Sequence, residues 1–124
     1  MIMILQKLNK GVDSNIQLAE KYYAILSSIN DLDLTTREIQ LIAFTAIKGN
    51  ITHANIRDEF CRVYNTTSPT INNIISKLKK KGIFIKSVTK EDEYPNKVKV
   101  NPKIVLDFSK DIVLQITLSH DKQV

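Results

Sequence analysis

The stretch Thr67–Gly82, TSPTINNIISKLKKKG, has the pattern of an α-helix with a marked start and a marked end. Thr67 or Ser68 is a suitable N-cap, and Pro69 stands in the first turn, where a missing N–H costs nothing. Four apolar residues follow at the spacing i, i+3, i+4, i+7, and Gly82 suits the C′ position that ends a helix. These four residues are Ile71, Ile74, Ile75 and Leu78.

The other side of this predicted helix carries hydroxyl and amide groups near its start and lysines near its end, with no acidic residue. A helix surface that only faces solvent usually mixes glutamate with lysine. Asparagine and serine can hydrogen-bond base edges, and lysine neutralises phosphate. The pattern therefore predicts a DNA-recognition helix over Pro69–Lys81. The residues on this side are Thr70, Asn72, Asn73, Ser76, Lys77, Lys79 and Lys80.

After Gly82 the apolar period changes from 3.6 to 2, which predicts strands. Ile83–Val88 is the first strand, Thr89–Asn96 is a loop with three acidic residues, and Lys97–Val100 alternates as the returning strand. A helix, a turn, a basic helix and a two-stranded hairpin in this order predict a winged helix-turn-helix.

Three further helices are predicted before the basic helix, and each has a capping candidate. Asp13 or Ser14 can cap the first, while Thr35 and Glu38 have the spacing of a capping box for the second. Thr52 is predicted to cap the third. The helices cover Asn15–Ser28, Arg37–Lys48 and His53–Tyr64.

Both ends of the chain are predicted to be β-prone extensions of an α+β fold with three to four helices and a two-stranded wing. Met1–Leu8 suits a strand or a short helix, and the tail holds two β-prone pieces, Ile104–Phe108 and Asp111–Leu118. The predicted divisions are an N-terminal extension and helix with a role in dimerisation, the winged helix-turn-helix, and the C-terminal tail. Their bounds are 1–33, 34–101 and 102–124.

The charge of the chain is positive and unevenly distributed. The net charge is +5 over 124 residues, and residues 61–124 hold twelve basic against six acidic side chains. Lys77–Lys103 alone contains nine lysines and three acids. This clustering indicates a polyanionic partner. A basic surface that serves only solubility is the simpler alternative.

The sequence shows no pattern for catalysis, for a metal or for a cofactor. His53 and His120 lack partners at metal-ligand spacing, and the chain has neither a glycine-rich phosphate loop nor a nucleophile motif. The single cysteine, Cys61, excludes an internal disulfide and suits a reducing compartment. No apolar run approaches the length of a membrane span. We therefore expect a cytoplasmic protein that is not an enzyme.

From Leu34 to Val100 the chain resembles the winged-helix domains of MarR-type regulators. The resemblance rests on the sequence LTTRE at residues 34–38 and on TINNIISKLKKKGI at residues 70–83. It implies that Thr70, Asn72, Asn73 and Lys77 meet DNA. Three features depart from that family: the predicted recognition helix has no arginine, the wing tip is acidic at residues 91–93, and the tail is β-prone instead of helical. Val98–Phe108 is also similar to the end of the winged helix in plasmid and phage replication initiators.

The predicted function is sequence-specific binding of double-stranded DNA by a homodimer, as a transcriptional regulator or a replication-associated factor. A phage or plasmid assembly protein that uses the same fold for protein contacts is the alternative. The sequence leaves open whether the protein binds a small-molecule effector, because no residue pattern marks a pocket for one. The predicted DNA contacts are Thr67, Ser68, Thr70, Asn72, Asn73, Ser76, Lys77, Lys79, Lys80, Lys81, Lys86, Lys90, Lys97 and Lys99.

Overall fold

The structure, a computed structural model, describes residues 14–86 and 97–115. In this part of the chain four α-helices precede a two-stranded antiparallel sheet, so the α+β class is confirmed. The arrangement is compatible with the predicted winged helix-turn-helix. The elements are α1 (Asn15–Ile29), α2 (Thr36–Lys48), α3 (Ala54–Tyr64), α4 (Ser68–Lys80), β1 (Phe84–Lys86), β2 (Val98–Val100) and a 3-10 helix (Pro102–Ile104).

Local sequence signals set most of the helix ends. Ser14 caps α1, because its hydroxyl accepts a hydrogen bond from the Gln17 amide at 3.3 Å. The predicted capping box of α2 is confirmed: the Thr35 hydroxyl accepts from the Glu38 amide, and the Glu38 carboxylate accepts from the Thr35 amide. Gly49 then ends α2 with a φ of 90°, a left-handed conformation that glycine adopts without a steric cost.

Among the described residues, a hydrophobic core lies between the helices and the hairpin. Ala19 and Tyr23 of α1 are buried with the inner face of α2, so α1 shares the core of the helices that follow it. Phe44 of α2 and Phe60 of α3 meet edge to face, with their ring centroids 5.3 Å apart. The aromatic residues of α2 and α3 thus pack the core instead of offering a stacking surface for single strands.

The hairpin is stabilised by the pairing of its two strands and by hydrogen bonds to the segment before α3. Phe84 pairs with Val100 and Lys86 with Val98, and the side chains of Phe84, Val98 and Val100 are buried in the core. The Ile51 amide donates to the Val98 carbonyl at 2.9 Å, and the Val98 amide donates to the Thr52 hydroxyl at 2.7 Å. These bonds fasten β2 to the chain between α2 and α3.

The prediction that Thr52 caps α3 is wrong. The N-cap of α3 is His53, which makes no side-chain capping bond, and α3 starts at Ala54. The Thr52 hydroxyl is instead the acceptor for the Val98 amide, 46 residues away in sequence. The sequence pattern predicts that this hydroxyl caps a helix, but it takes part in a tertiary contact instead. The buried Val98 amide needs a hydrogen-bond acceptor, and Thr52 provides it.

The prediction of β-structure in the tail is not met in the described residues. Ile104 ends a 3-10 helix, and residues 105–107 and 111–115 form no regular secondary structure. Ile104, Leu106 and Phe108 are partly buried against the core, and the residues between them are exposed, so the apolar period reflects packing against the core. An alternating pattern gives an extended chain, but a strand also needs a neighbouring edge to pair with. Residues 1–13 and 116–124, where the other β-prone pieces were predicted, lie outside the described residues.

Within residues 14–86 and 97–115, no helix combines the length and the apolar character that crossing a membrane would require.

The tail is joined to α1 through a buried tyrosine, and this contact predicts a pH dependence of stability. The Tyr23 hydroxyl donates to the Ile104 carbonyl at 2.9 Å. Burial, and then the neighbouring Tyr22, raises the pKa of Tyr23 above its ordinary value of 10.0. The folded state therefore holds this proton more tightly than the unfolded state. The resulting stability is complete below a pH of about 10 and is lost as the pH rises above it.

We expect Tyr23→Phe to lower the free energy of unfolding by about 1 kcal/mol at neutral pH, through the lost hydrogen bond. Between about pH 8 and about pH 11, the variant should also lose less stability than the wild-type protein does. Urea denaturation at both pH values measures the two effects. Some pH dependence should remain in the variant, because burial, followed by the Glu20 carboxylate, also raises the pKa of Tyr64. Equal pH dependence in both proteins would contradict the assignment to Tyr23.

Candidate nucleic-acid interface

Helix α4 has one face in the core and the other in solvent. Ile71, Ile74, Ile75 and Leu78 are all buried, as the apolar spacing predicts. At 100° per residue, Asn73, Ser76 and Lys80 lie opposite this apolar stripe, at the centre of the exposed face. Asn72 and Lys79 lie on the side toward α3, and Thr70 and Lys77 lie on the other side. The exposed face thus has amides and hydroxyls at its start and ammonium groups at its end.

The predicted DNA-contact residues differ in how exposed their side chains are. The α4 residues among them are all exposed, as are Thr67 before the helix and Lys81 and Lys86 after it. Lys97 and Lys99 on the returning strand are half-buried. Lys90 and the acidic residues 91–93 lie outside the described residues. Asn72, Asn73, Ser76 and Lys77 are exposed, as a DNA-binding surface requires. A face that contacts another subunit would also be exposed in a single chain.

The start of α4 is not capped by a side chain. Thr67 is the N-cap residue, but its hydroxyl lies 3.0 Å from that of Thr70 instead of accepting from a backbone amide. Pro69 occupies the first turn and has no amide proton to satisfy. The uncapped first turn directs backbone amides and the positive end of the helix dipole outward, where an anion would be stabilised.

The end of α4 is a Schellman motif that turns the chain into the hairpin. Gly82 has a φ of 76°, and its amide donates to the Lys79 carbonyl at 3.1 Å. The next amide, of Ile83, donates to the Leu78 carbonyl at 3.0 Å. The prediction that Gly82 ends this helix at the C′ position is confirmed. β1 follows directly after this turn and carries Lys86, which is exposed like the lysines of α4.

Two predicted phosphate-binding lysines have different surroundings in the structure. The Lys80 side chain stands on the outer face of α4 without a hydrogen-bond partner among the described residues. The Lys81 ammonium group donates to the Leu32 carbonyl at 2.7 Å, which joins the end of α4 to the loop between α1 and α2. Lys81 is therefore a structural contact as well as a predicted DNA contact.

Arg57 of α3 is a residue of this surface that sequence reasoning missed. Its Nε donates to the Ile51 carbonyl at 2.8 Å, and its Nη1 donates to the side-chain oxygen of Asn72 at 2.8 Å. Arg57 is half-buried, so the guanidinium group is held against the protein while it contacts α4. No sequence signal points to this pair, because the two residues belong to different helices and their contact depends on how α3 packs against α4.

The described part of the chain shows no cluster of metal ligands and has an open groove between helices. Among the described residues, no three His, Cys, Asp or Glu side chains come together as metal ligands would. A shallow open groove of about 270 Å³ lies between α1 and α2. Its lining mixes aliphatic, polar and charged side chains: Glu20, Lys21, Ala24, Thr36, Ile39 and Gln40.

Comparison of the chain with protein-family models, with curated proteins and with solved structures gave no match.

Proposed function

We propose that this protein is a winged helix-turn-helix that binds double-stranded DNA sequence-specifically in the cytoplasm. The observation that supports it best is the exposed face of α4, which has amides and hydroxyls followed by lysines and contains no acid. Such a face combines groups that can read bases with groups that neutralise phosphate. The excess of basic side chains in residues 61–124 supports the same partner.

In this proposal α4 enters the major groove and its exposed face meets the bases. Asn73 lies at the centre of that face, and an asparagine amide matches the adjacent donor and acceptor of adenine. The uncapped first turn, with Thr67, Ser68 and Thr70, takes a phosphate at the positive end of the helix. Lys77, Lys79 and Lys80 contact flanking phosphates, and the hairpin lysines add contacts that do not depend on sequence.

We further propose that the protein acts as a homodimer, in transcriptional regulation or in replication. The solvent side of α1 carries Ile25, 38% exposed, and Ile29, 47% exposed. These side chains supply apolar area for a symmetric contact between two copies. A dimer would place two α4 helices one turn of DNA apart and would favour a palindromic site.

An assembly protein of a phage or plasmid system is the second candidate. The observation that favours it is the apolar exposure of the tail, where Val113 is 90% exposed and Leu114 is 40% exposed. Apolar side chains at such exposure suit a protein partner. In that case the α4 face would also contact protein.

Binding of a labelled random-sequence duplex, measured by fluorescence anisotropy across a salt series, tests the proposal. We expect micromolar or tighter affinity at low salt and a steep linear fall of log affinity with log salt concentration, because lysines displace counterions from phosphate. Absence of binding even at the lowest salt would rule out the DNA proposal and leave the assembly candidate.

At the cognate site, Asn73→Ala is expected to lower affinity by about 1–3 kcal/mol and to relax specificity at one base position. Lys80→Ala is the matched control on the same face. It should weaken cognate and random duplexes equally, because a phosphate contact carries no sequence information. Both variants are measured on both duplexes. Equal losses on cognate and random DNA for Asn73→Ala would contradict base reading by this residue.

A further inference from the structure

The two neighbouring asparagines of α4 have different surroundings. The Asn72 side-chain oxygen accepts a hydrogen bond from Arg57 Nη1 at 2.8 Å. Asn73 is exposed, and no side chain among the described residues forms a hydrogen bond with it. Asn73 can therefore rotate its amide freely to suit a partner, whereas the amide of Asn72 has a defined orientation.

The chemistry of Arg57 determines which end of the Asn72 amide faces it. A guanidinium group has N–H donors and no acceptor, so only the oxygen of the asparagine side chain can be turned toward it. Arg57 is itself oriented by the bond from its Nε to the Ile51 carbonyl at 2.8 Å. The NH2 group of Asn72 is thus the end that remains for a ligand, together with the N–H groups of Arg57 that bond to no other described residue.

From this geometry we infer that Arg57 and Asn72 form a donor-only unit that selects guanine at one position of the DNA site. The inference rests on the proposed function. Guanine presents two acceptors, N7 and O6, to the major groove, and adenine presents an acceptor beside a donor. Adenine needs both the oxygen and the NH2 group of an asparagine. At the Asn72 oxygen, the donor of adenine would meet the N–H groups of Arg57, which are donors too, so adenine is disfavoured there.

The other bases and the phosphate group match the unit less well. Thymine offers one acceptor, O4, next to its methyl group, and cytosine offers a donor. A phosphate would accept from the same N–H groups, but such a contact would show no preference among bases. Base preference at one position therefore separates guanine reading from phosphate binding. Arg57 acts here as a specificity-determining residue that the recognition helix does not itself contain.

The test is selection of bound sequences from a randomised duplex pool by the full chain, followed by affinity measurements on the selected site and its single-base variants. One position should prefer guanine and should lose its preference with Asn72→Ala. At that position, guanine to adenine should lower wild-type affinity about tenfold or more. With Arg57→Met the guanine-to-adenine ratio should fall to near one or reverse, because the oxygen of Asn72 is then released. Lys103→Ala, at an exposed lysine that is not a predicted DNA contact, is the control and should leave this ratio unchanged.

A second variant keeps the inference testable if Arg57→Met does not fold, since that change also removes the bond to the Ile51 carbonyl. Asn72→Asp retains an oxygen for Arg57 but removes the NH2 donors. It should abolish the guanine preference at the same position, although its charge weakens binding to all duplexes. The inference is therefore judged by the ratio of affinities for guanine and adenine at this position, and not by the affinity itself.

The contact itself can be measured without DNA. In the nuclear magnetic resonance spectrum of the free protein, Arg57→Met should shift the side-chain NH2 signals of Asn72 and leave those of Asn73 in place. Adenine at the Asn72-dependent position, an unchanged ratio in Arg57→Met and Asn72→Asp, or unshifted Asn72 signals would each overturn the inference while leaving DNA binding intact. Failure of the wild-type protein to bind any duplex would overturn the inference together with the proposed function.

Discussion

Replacement of Leu78 by alanine is expected to lower the free energy of unfolding by about 2–5 kcal/mol. Leu78 is fully buried on the inner face of α4, and its carbonyl is also the acceptor of the Schellman bond from the Ile83 amide. The truncation removes apolar contacts from a packed core and leaves a cavity that the surrounding helices can fill only in part. Urea denaturation followed by circular dichroism measures the loss.

The matched control for this prediction is Lys79→Ala, the next residue on the same helix turn. Lys79 is exposed, and alanine has a high helix propensity, so its replacement should change stability by less than about 0.5 kcal/mol. If Leu78→Ala and Lys79→Ala had equally small effects, the placement of α4 against the core would be contradicted. If both replacements strongly lowered the free energy of unfolding, the polar face of α4 would have to be packed against another part of the protein.

The second large effect is expected on DNA affinity, from simultaneous replacement of Lys77, Lys79 and Lys80 by glutamine. Each lysine that contacts phosphate contributes about 0.9 to the slope of log affinity against log salt concentration. The triple variant should therefore show a clearly shallower slope and, at about 0.1 M salt, an affinity at least about a hundredfold lower on any duplex. Anisotropy titrations at several salt concentrations measure both quantities.

A second triple variant, with Lys21, Lys103 and Lys110 replaced by glutamine, has the same net charge and is the control. These lysines are exposed on other parts of the described chain and are not predicted DNA contacts. Their loss should leave the salt slope nearly unchanged. Equal effects of the two triple variants would show that overall charge, and not the α4 surface, attracts DNA. Stability of both variants should remain close to wild type, because the replaced side chains are exposed.

If both results are as expected, the two faces of α4 have separate roles. The apolar face would be needed for folding and would affect DNA only through the loss of structure. The polar face would be needed for DNA and would hardly affect stability. Asn73→Ala and Lys80→Ala then divide the polar face further, into base reading and phosphate neutralisation.

Much of the fold could be predicted because its signals are local. The Thr35 and Glu38 capping box, the left-handed glycines Gly49 and Gly82 and the apolar stripe of α4 all involve residues within one or two helical turns. Backbone geometry and side-chain periodicity act over that distance, so the residues of one segment suffice to specify it. The α+β class and the order of the described elements follow from such signals.

Tertiary packing decided the contacts that join distant segments. Local pattern placed the Thr52 hydroxyl at a helix start, but the structure uses it for the amide of Val98. An alternating tail was predicted as β-structure, but at residues 104–108 it packs against the core without a strand partner. In each case the competing partner is far away in sequence, so no local spacing records it.

The same division applies to the candidate site. The amino-acid sequence by itself determined which α4 residues are polar, which are apolar and where the helix ends, because these depend on residue type and a period of 3.6. Only the packing of α3 against α4 decided that Arg57 holds the oxygen of Asn72, so that two adjacent asparagines differ in what they can bind. A side chain's free hydrogen-bonding groups depend on which neighbours the fold brings within about 3 Å, and residue type alone does not specify those neighbours.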